Sequence, residues 1–239
     1  MQTIAGQSSV QWWLLGAAVA IASYFLGSIP FGLIIVKLAT GKDIRSVESG
    51  RTGGTNAARA AGVWAGLGTA IMDMLKSAGA VLLAKILFPL EASAAFAWLH
   101  VVAPLMAILG HNYSIFLVGR DERGRLHFRG GAGGAPCVGG SFGLWAPSIL
   151  LIVPVGVAIL YFVGYASVAT ISVAFVSTLI FGYLATIKLF PWQYVFYGVL
   201  AQVVLIWALR PNIRRLLTGK ERIVGWRARK KKDHSSSSS

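Results

Sequence analysis

Residues 45–59, RSVESGRTGGTNAAR, decide how the rest of the chain is read. The stretch gathers arginines, glycines, short hydroxyl side chains and one asparagine between two long apolar runs, 12–38 and 62–88. Backbone of this kind cannot lie bare in hydrocarbon, where no water pairs its N–H and C=O groups. The segment is therefore either a connecting loop or a polar site at the edge of a membrane domain. Glycine lets a ligand approach the backbone closely, and successive N–H groups form a nest for an anion. Arginine adds charge and paired donors. On this reading Arg45 brings the charge and Gly50, Gly53 and Gly54 the permissive backbone, while Ser49, Thr52, Thr55 and Asn56 bring short polar groups. A helix starting near Thr55 adds free N–H groups to such a site. Thr55 and Asn56 equally suit ordinary helix caps.

The composition puts that loop in a membrane protein. Of 239 residues, 56% are hydrophobic and only 13% charged, against about 25% in an ordinary soluble domain. The net charge of +14 does not point to nucleic acid, because the basic residues lie between apolar runs and in the tail. A face beside anionic lipid accounts for them and also draws phosphorylated molecules. The single cysteine, Cys137, excludes an intrachain disulfide, and the scattered His100, His111, His127 and His234 have no metal-ligand spacing. No metal and no cofactor are expected. The sequence carries neither GxxxxGK[ST] nor GxSxG, which removes a nucleotide triphosphatase and a serine nucleophile elbow. The first apolar run is too long for a cleavable signal core and lacks a basic start.

Working outward, the expected fold is an all-α bundle of seven transmembrane segments: 12–38, 62–88, 96–118, 134–146, 148–163, 166–187 and 190–209. The segment 134–146, broken by Pro147, is shorter than the ~17–25 residues of a standard span. Counting it separately reconciles the basic tail RPNIRRLLTGKERIVGWRARKKK with a cytoplasmic C-terminus and puts the N-terminus outside. Residues 1–221 read as one integral membrane domain. Residues 222–239 read as a basic tail whose last eleven residues, from Arg229, are of low complexity and expected to be disordered.

Polar residues within the apolar runs narrow the chemistry. Pro30, in GSIPFG, kinks a helix and exposes Ser28 to a site, or Ser28 bonds a local carbonyl. Asp73 and Lys76 are spaced i,i+3 on one helix face, either as a functional pair or as a structural ion pair. His111 suits a general base or a packed position. The second glycine loop, Arg129-Gly130-Gly131-Ala132-Gly133-Gly134, is a second nest or a flexible link. The tail residues Arg210, Asn212, Arg214, Arg215 and Lys220, with Glu221 behind, lie on an anionic surface or close a pocket from below.

Together these polar segments resemble the membrane glycerol-3-phosphate acyltransferases that use acyl-phosphate as donor. The likeness rests on GSIPFG at 27–32, SGRTGGTNAAR at 49–59, DMLKSAG at 73–79 and GHNYSIF at 110–116. It continues through FRGGAGG at 128–134, YASVATIS at 165–172 and RPNIRRLLTGKE at 210–221. The resemblance implies seven spans and transfer of an acyl group to the 1-hydroxyl of sn-glycerol 3-phosphate, giving lysophosphatidate and phosphate. By motif it implies catalytic roles for Ser28, Arg45, Asp73, Lys76, His111 and Ser167. It places substrate binding at Ser49, Gly50, Gly53, Gly54, Thr55, Asn56, Arg129, Gly130, Gly131, Gly133, Asn212, Arg214 and Glu221. The implied partners are glycerol 3-phosphate, acyl-phosphate, membrane lipid and the enzyme that supplies acyl-phosphate. The chain is expected to act as a monomer on the cytoplasmic side of the cell membrane.

Three departures stand out: Ala132 where the family has a lysine, the insert-like run DERGRLH at 121–127, and Leu209 where a histidine is common. Arg123 or Arg125 of the insert can replace the missing charge, or the donor or acceptor differs. A transporter of a small organic or phosphorylated anion is the alternative class. It calls for polar groups at mid-bilayer with access from both sides, whereas this chain gathers them toward one face.

Overall fold

The computed structural model describes residues 9–120 and 124–226. Helices α1 (Ser9–Ser28) and α2 (Phe31–Thr40) are separated by a break at Ile29 and Pro30. Then come α3 (Gly54–Ala61), α4 (Val63–Leu87) and α5 (Ala97–Asn112). A hairpin of β1 (Ser114–Arg120) and β2 (Leu126–Arg129) follows. The chain continues through α6 (Gly134–Leu144), α7 (Ile149–Ala158), α8 (Ala166–Thr186), α9 (Gln193–Ala208) and α10 (Arg210–Leu217).

Two of the three apolar clusters found among the described residues hold the long helices, and the third joins Val36, Ile44 and Ala57. Val19 of α1, Ala80 and Ala84 of α4, and Ala103 and Ala107 of α5 form one with Phe88. The larger joins α5, α6, α8 and α9 through Ile108, Cys137, Phe181, Tyr194, Tyr197 and Leu205. The first is built of small residues because the backbones nearly touch. A Cβ on Gly110 would run into the Tyr24 carbonyl, so α1 and α5 can cross only with glycine there. The outer surface carries Trp13, Leu38, Leu150 and Leu179, each more than half exposed. So much exposed apolar side chain suits lipid, not water.

Two polar contacts inside the bundle tie helices together. Tyr197 donates to the Cys137 carbonyl at 2.6 Å, and Lys85 donates to the Gly143 and Leu144 carbonyls at 2.8 and 2.9 Å. The lysine thereby closes the C-terminal end of α6, where carbonyls lack intrahelical partners.

The helical bundle is as expected, but the count of seven spans is corrected. Among the described residues, four helices are long and apolar enough to cross a membrane: Val10–Thr40, Ala94–Asn112, Ala146–Val163 and Ala166–Thr186. A fifth is added if Gln193–Ala208 and Arg210–Leu217, bent by 68°, act as one. The expected span 62–88 is α4, whose Asp73, Lys76 and Lys85 dilute its apolar character. The expected span 134–146 is α6, with 11 residues, about 16 Å long at a rise of 1.5 Å per residue, against a hydrocarbon core of about 30 Å. The orientation reached by counting, N-terminus outside and C-terminus cytoplasmic, loses its basis with the count. The expected span 96–118 ends early, at Asn112. Beyond it β1, which contains the β-favouring run Ile115-Phe116-Leu117-Val118, pairs antiparallel with β2, Val118 opposite Phe128 and Arg120 opposite Leu126, with a register shift between Ser114 and Val118.

Candidate active site

Pro30 sets the first piece of the site. Lacking an N–H, it interrupts the ladder between α1 and α2 and leaves the Ile29 carbonyl outside regular helical bonding. Lys76 donates to that carbonyl at 3.1 Å. Its ammonium also sits 2.9 Å from Asp73 Oδ1 and 2.9 Å from His111 Nδ1, and His111 Nδ1 is 3.4 Å from the same carboxylate oxygen. All three side chains are buried. Asp73 Oδ2 has no hydrogen-bond partner among the described residues. Taking this many ionisable groups out of water is costly even when they pair, which marks the cluster as a place where a charge is used. Ser28 lies beside it but is otherwise engaged: its hydroxyl donates to the Tyr24 carbonyl at 2.8 Å.

The second glycine loop rests directly on this cluster. The Gly131 N–H donates to the His111 carbonyl at 2.9 Å. A Cβ on Gly131 would overlap His111 Nε2, so only glycine lets the loop cover the imidazole. His111 Nε2 thus faces the loop while Nδ1 faces the Asp73–Lys76 pair.

The first loop is fastened to the second. The Thr52 N–H donates to the Gly130 carbonyl at 3.3 Å, and Arg51 Nη1 to the Gly131 carbonyl at 2.9 Å. The other arm of Arg51 reaches the Ala208 carbonyl at 2.8 Å and Asn212 Oδ1 at 3.3 Å. One guanidinium therefore joins both glycine loops to the end of α9 and the start of α10. Burial and the neighbouring Arg215 pull its proton affinity below the ordinary value, yet an arginine stays charged.

Asn56 shapes the first loop from inside. Its amide donates to the carbonyls of Ile44, Val47 and Arg51 at 3.2, 3.0 and 2.9 Å, winding residues 44–51 around the start of α3. Arg45 forms a bidentate pair with Asp43, Nη2 to Oδ2 at 2.6 Å and Nε to Oδ1 at 3.0 Å. The guanidinium beside it holds the Asp43 carboxyl at about 2.

The tail supplies the third wall. Glu221 is buried, accepting from Ser167 at 2.8 Å and from Asn212 Nδ2 at 3.2 Å. Arg222 pairs with Glu48 of the first loop, and the Val224 N–H donates to the Gly164 carbonyl at 2.8 Å. Residues 227–239 and 121–123, which include Arg123 and the low-complexity end, lie outside the described residues.

These walls enclose an open cleft of about 1020 Å³. Among the described residues, Arg45, Arg51, Arg129, Arg210, Arg214 and Arg215 line it against one carboxylate, Glu48. A second cleft of about 1030 Å³ lies along the hairpin, shares Arg45, His127 and Arg129, and adds Arg120 and Arg125. Such a surplus of positive charge attracts phosphate esters.

The predicted residues fall into groups. Arg45, Ser49, Gly50, Arg129, Gly130 and Arg214 share the cleft, and Asp73, Lys76 and His111 lie under Gly131. Ser167, Asn212 and Glu221 form the hydrogen-bonded support of the tail. Gly53, Gly54, Thr55 and Asn56 do not line the cleft: Gly53 is the N-cap of α3, and Gly54 packs on α4 at Gly66. Gly133 is the N-cap of α6, in the left-handed region at φ 86°. Sequence reading gave no site role to Arg51 or Asn112, whereas Arg215, named with the tail that closes a pocket, does line the cleft. Nothing in the spacing separates Arg51 from its neighbours, although its place between Gly50 and Gly53 was a signal. Arg51, one residue from Ala132 across the Gly131 carbonyl, also brings charge to the loop that lacks a lysine.

The family described as glycerol-3-phosphate acyltransferase matches residues 17–219. The chain is 37% identical over 217 residues to glycerol-3-phosphate acyltransferase 3 of Dehalococcoides mccartyi strain CBDB1, covering 88% of this chain and 96% of the relative. It is 35% identical over 217 residues to glycerol-3-phosphate acyltransferase 2 of Moorella thermoacetica, covering 90% and 100%. The crystal structure of PlsY (YgiH), an integral membrane glycerol 3-phosphate acyltransferase, in its glycerol 3-phosphate form superposes with a TM-score of 0.72 at 32% identity. That match covers 88% of this chain and 96% of the other. The lysophosphatidic acid form gives 0.71 at 30%, covering 88% and 95%.

Proposed function

The chain belongs to the glycerol-3-phosphate acyltransferase family, and from that premise we propose that it transfers an acyl group from acyl-phosphate to the 1-hydroxyl of sn-glycerol 3-phosphate. The products are 1-acyl-glycerol 3-phosphate and inorganic phosphate. It is an enzyme of phospholipid biosynthesis and a multi-pass membrane protein. The observation that supports the reaction best is the junction at Gly131. There an arginine-walled cleft meets a buried carboxylate–lysine–histidine cluster across a single glycine.

The chemistry needs no covalent enzyme intermediate, because acyl-phosphate is already an activated mixed anhydride. The 1-hydroxyl oxygen forms a bond to the acyl carbon, the bond from that carbon to the phosphate oxygen breaks, and the hydroxyl proton leaves. Two dianionic phosphates must be held close together, and Arg45, Arg51, Arg129 and Arg214 offset their repulsion. Alignment of hydroxyl and carbonyl then supplies much of the rate. For His111 to take the proton at Nε2, Nδ1 carries the hydrogen and donates to Asp73, and the Lys76 ammonium, 2.9 Å from Nδ1, turns to the carboxylate and the Ile29 carbonyl. The direction of Nε2 toward the second loop supports that assignment. Ser28, Ser167, Asn212, Glu221 and the backbone of both glycine loops hold the walls in place. The cleft faces the cytoplasm, a placement supported by the basic residues gathered around it. Residues 1–221 act as one domain and as a monomer, fed by the enzyme that makes acyl-phosphate.

The deciding experiment offers acyl-phosphate and acyl-CoA separately to the purified protein in lipid, with glycerol 3-phosphate as acceptor. Lysophosphatidate formed from acyl-phosphate alone is the expected result. Product from acyl-CoA alone overturns the donor assignment, and no product from either overturns the reaction.

A further inference from the structure

Three asparagines stand at the site, and two are anchored through their side chains, although Asn56 Oδ1 has no partner among the described residues. Asn56 donates to three carbonyls, while Asn212 accepts from Arg51 and donates to Glu221. Asn112 differs. It is the last residue of α5, next to His111 and 5% exposed, and neither Oδ1 nor Nδ2 has a hydrogen-bond partner among the described residues. Asn112 belongs to the lining of the arginine-walled cleft. Its carboxamide lies against Gly133, where a Cβ would stand 2.7 Å from Oδ1 and 3.1 Å from Nδ2. A buried amide with both ends unpaired is expensive, and native proteins keep few such groups without a use.

The unpaired ends say what kind of group fits. A phosphate dianion only accepts, so it answers Nδ2 and leaves Oδ1 alone. A hydroxyl both donates and accepts, so it answers both ends. A carboxamide cannot take up a proton at neutral pH, which suits a hydroxyl that survives the reaction rather than the one that reacts. On the acyltransferase reading of this cleft, the acceptor carries one of each. The 1-hydroxyl gives up its proton and belongs with His111. We propose that Asn112 binds the 2-hydroxyl of the glycerol unit, and that this contact, one residue from the base, selects the acceptor and presents its 1-hydroxyl. The inference rests on the reaction proposed above.

The test compares two acceptors with acyl-phosphate as donor and the full-length protein in lipid: glycerol 3-phosphate, and 3-hydroxypropyl phosphate, in which hydrogen replaces the 2-hydroxyl. A site built around a substrate hydroxyl rejects the analogue lacking it. The wild type is expected to lose at least about 30-fold in kcat/KM with the deoxy acceptor, and Asn112→Ala to narrow that ratio to about threefold. Asn112→Asp, of the same shape but without the Nδ2 donor, is expected to fall between them. A wild type that uses both acceptors equally overturns the proposal, as does a folded Asn112→Ala that keeps the wild-type ratio. Should the alanine variant not fold, the wild-type ratio and the aspartate variant decide. A wild type that acylates neither acceptor removes the underlying reaction, and this inference with it.

Discussion

Arg45, in the first loop, and Asn56, in the first turn of α3, sit eleven positions apart and do different work. Arg45 is half-exposed and lines the cleft with its charge, whereas Asn56 is buried and spends its amide on three loop carbonyls. Arg45→Ala is expected to raise the KM for glycerol 3-phosphate by about 10-fold or more, the worth of a charge-assisted hydrogen bond. Its thermal midpoint should hardly move. Asn56→Ala should instead lower stability by about 1–3 kcal/mol, because buried carbonyls lose their donor. It should also expose the loop to limited proteolysis. The reverse pattern, with Asn56→Ala stable and altered only in KM, would mean its amide reaches substrate. The Asp43–Arg45 pair has a defined pH range. The folded value of Asp43, about 2, lies below its ordinary 3.8, so the pair contributes fully above about pH 4 and is lost as pH falls through 2. Any change of KM between pH 5 and 8 must then come from another group, such as the substrate phosphate.

Among the elements, the break between α1 and α2 and the turn into α6 hold Asp73, Lys76 and His111 together beneath Gly131. Pro30→Ala restores a backbone donor and favours a continuous helix, which draws the Ile29 carbonyl away from Lys76. A fall in kcat larger than any rise in KM is expected, measured with saturating donor. Unchanged kcat would show that Lys76 does not depend on that carbonyl. Gly131→Ala is harsher, since its Cβ overlaps His111 Nε2. Either the loop lifts or the imidazole turns, and both separate base from substrate. A loss of about 100-fold or more in kcat/KM, the range of general-base contributions, is expected with the protein still inserted in membrane. The hairpin β1–β2 was the element that sequence reading missed. Its run Ile115–Val118 is apolar enough to pass for the end of a membrane helix. Only pairing with 126–129 reveals the β-branched and aromatic residues as a strand.

At the scale of the molecule, six arginines from three separated segments converge, among the described residues, on one cleft with a single carboxylate. Charges partly open to solvent are screened by salt, with a Debye length of about 10 Å at 0.1 M and 3 Å at 1 M. The KM for glycerol 3-phosphate is therefore expected to climb steeply between about 0.05 and 0.5 M salt while kcat changes little. A flat KM across that range would mean that short, fully desolvated contacts dominate binding. The shape of the bundle serves this convergence. The Glu221–Ser167–Asn212 support and the Arg222–Glu48 pair carry α10 and the residues beyond it back against the first loop. The cleft is therefore closed by chain more than 160 residues away from its opening arginine.

The sequence by itself determined that the protein is a helical membrane bundle, and that its arginines, glycines and acid–lysine–histidine residues group into a few polar segments. Those are properties of composition and local pattern, set by what hydrocarbon excludes. It did not determine the span count, since the length of an apolar run does not say where a helix ends or how far charge dilutes it. The tertiary structure decided that Arg51 links the two glycine loops, that Asn56 faces inward, and that Asn112 is left with an unpaired amide. Hydrogen bonding is satisfied pairwise in space, and the partners of these side chains lie far along the chain, where no spacing rule reaches.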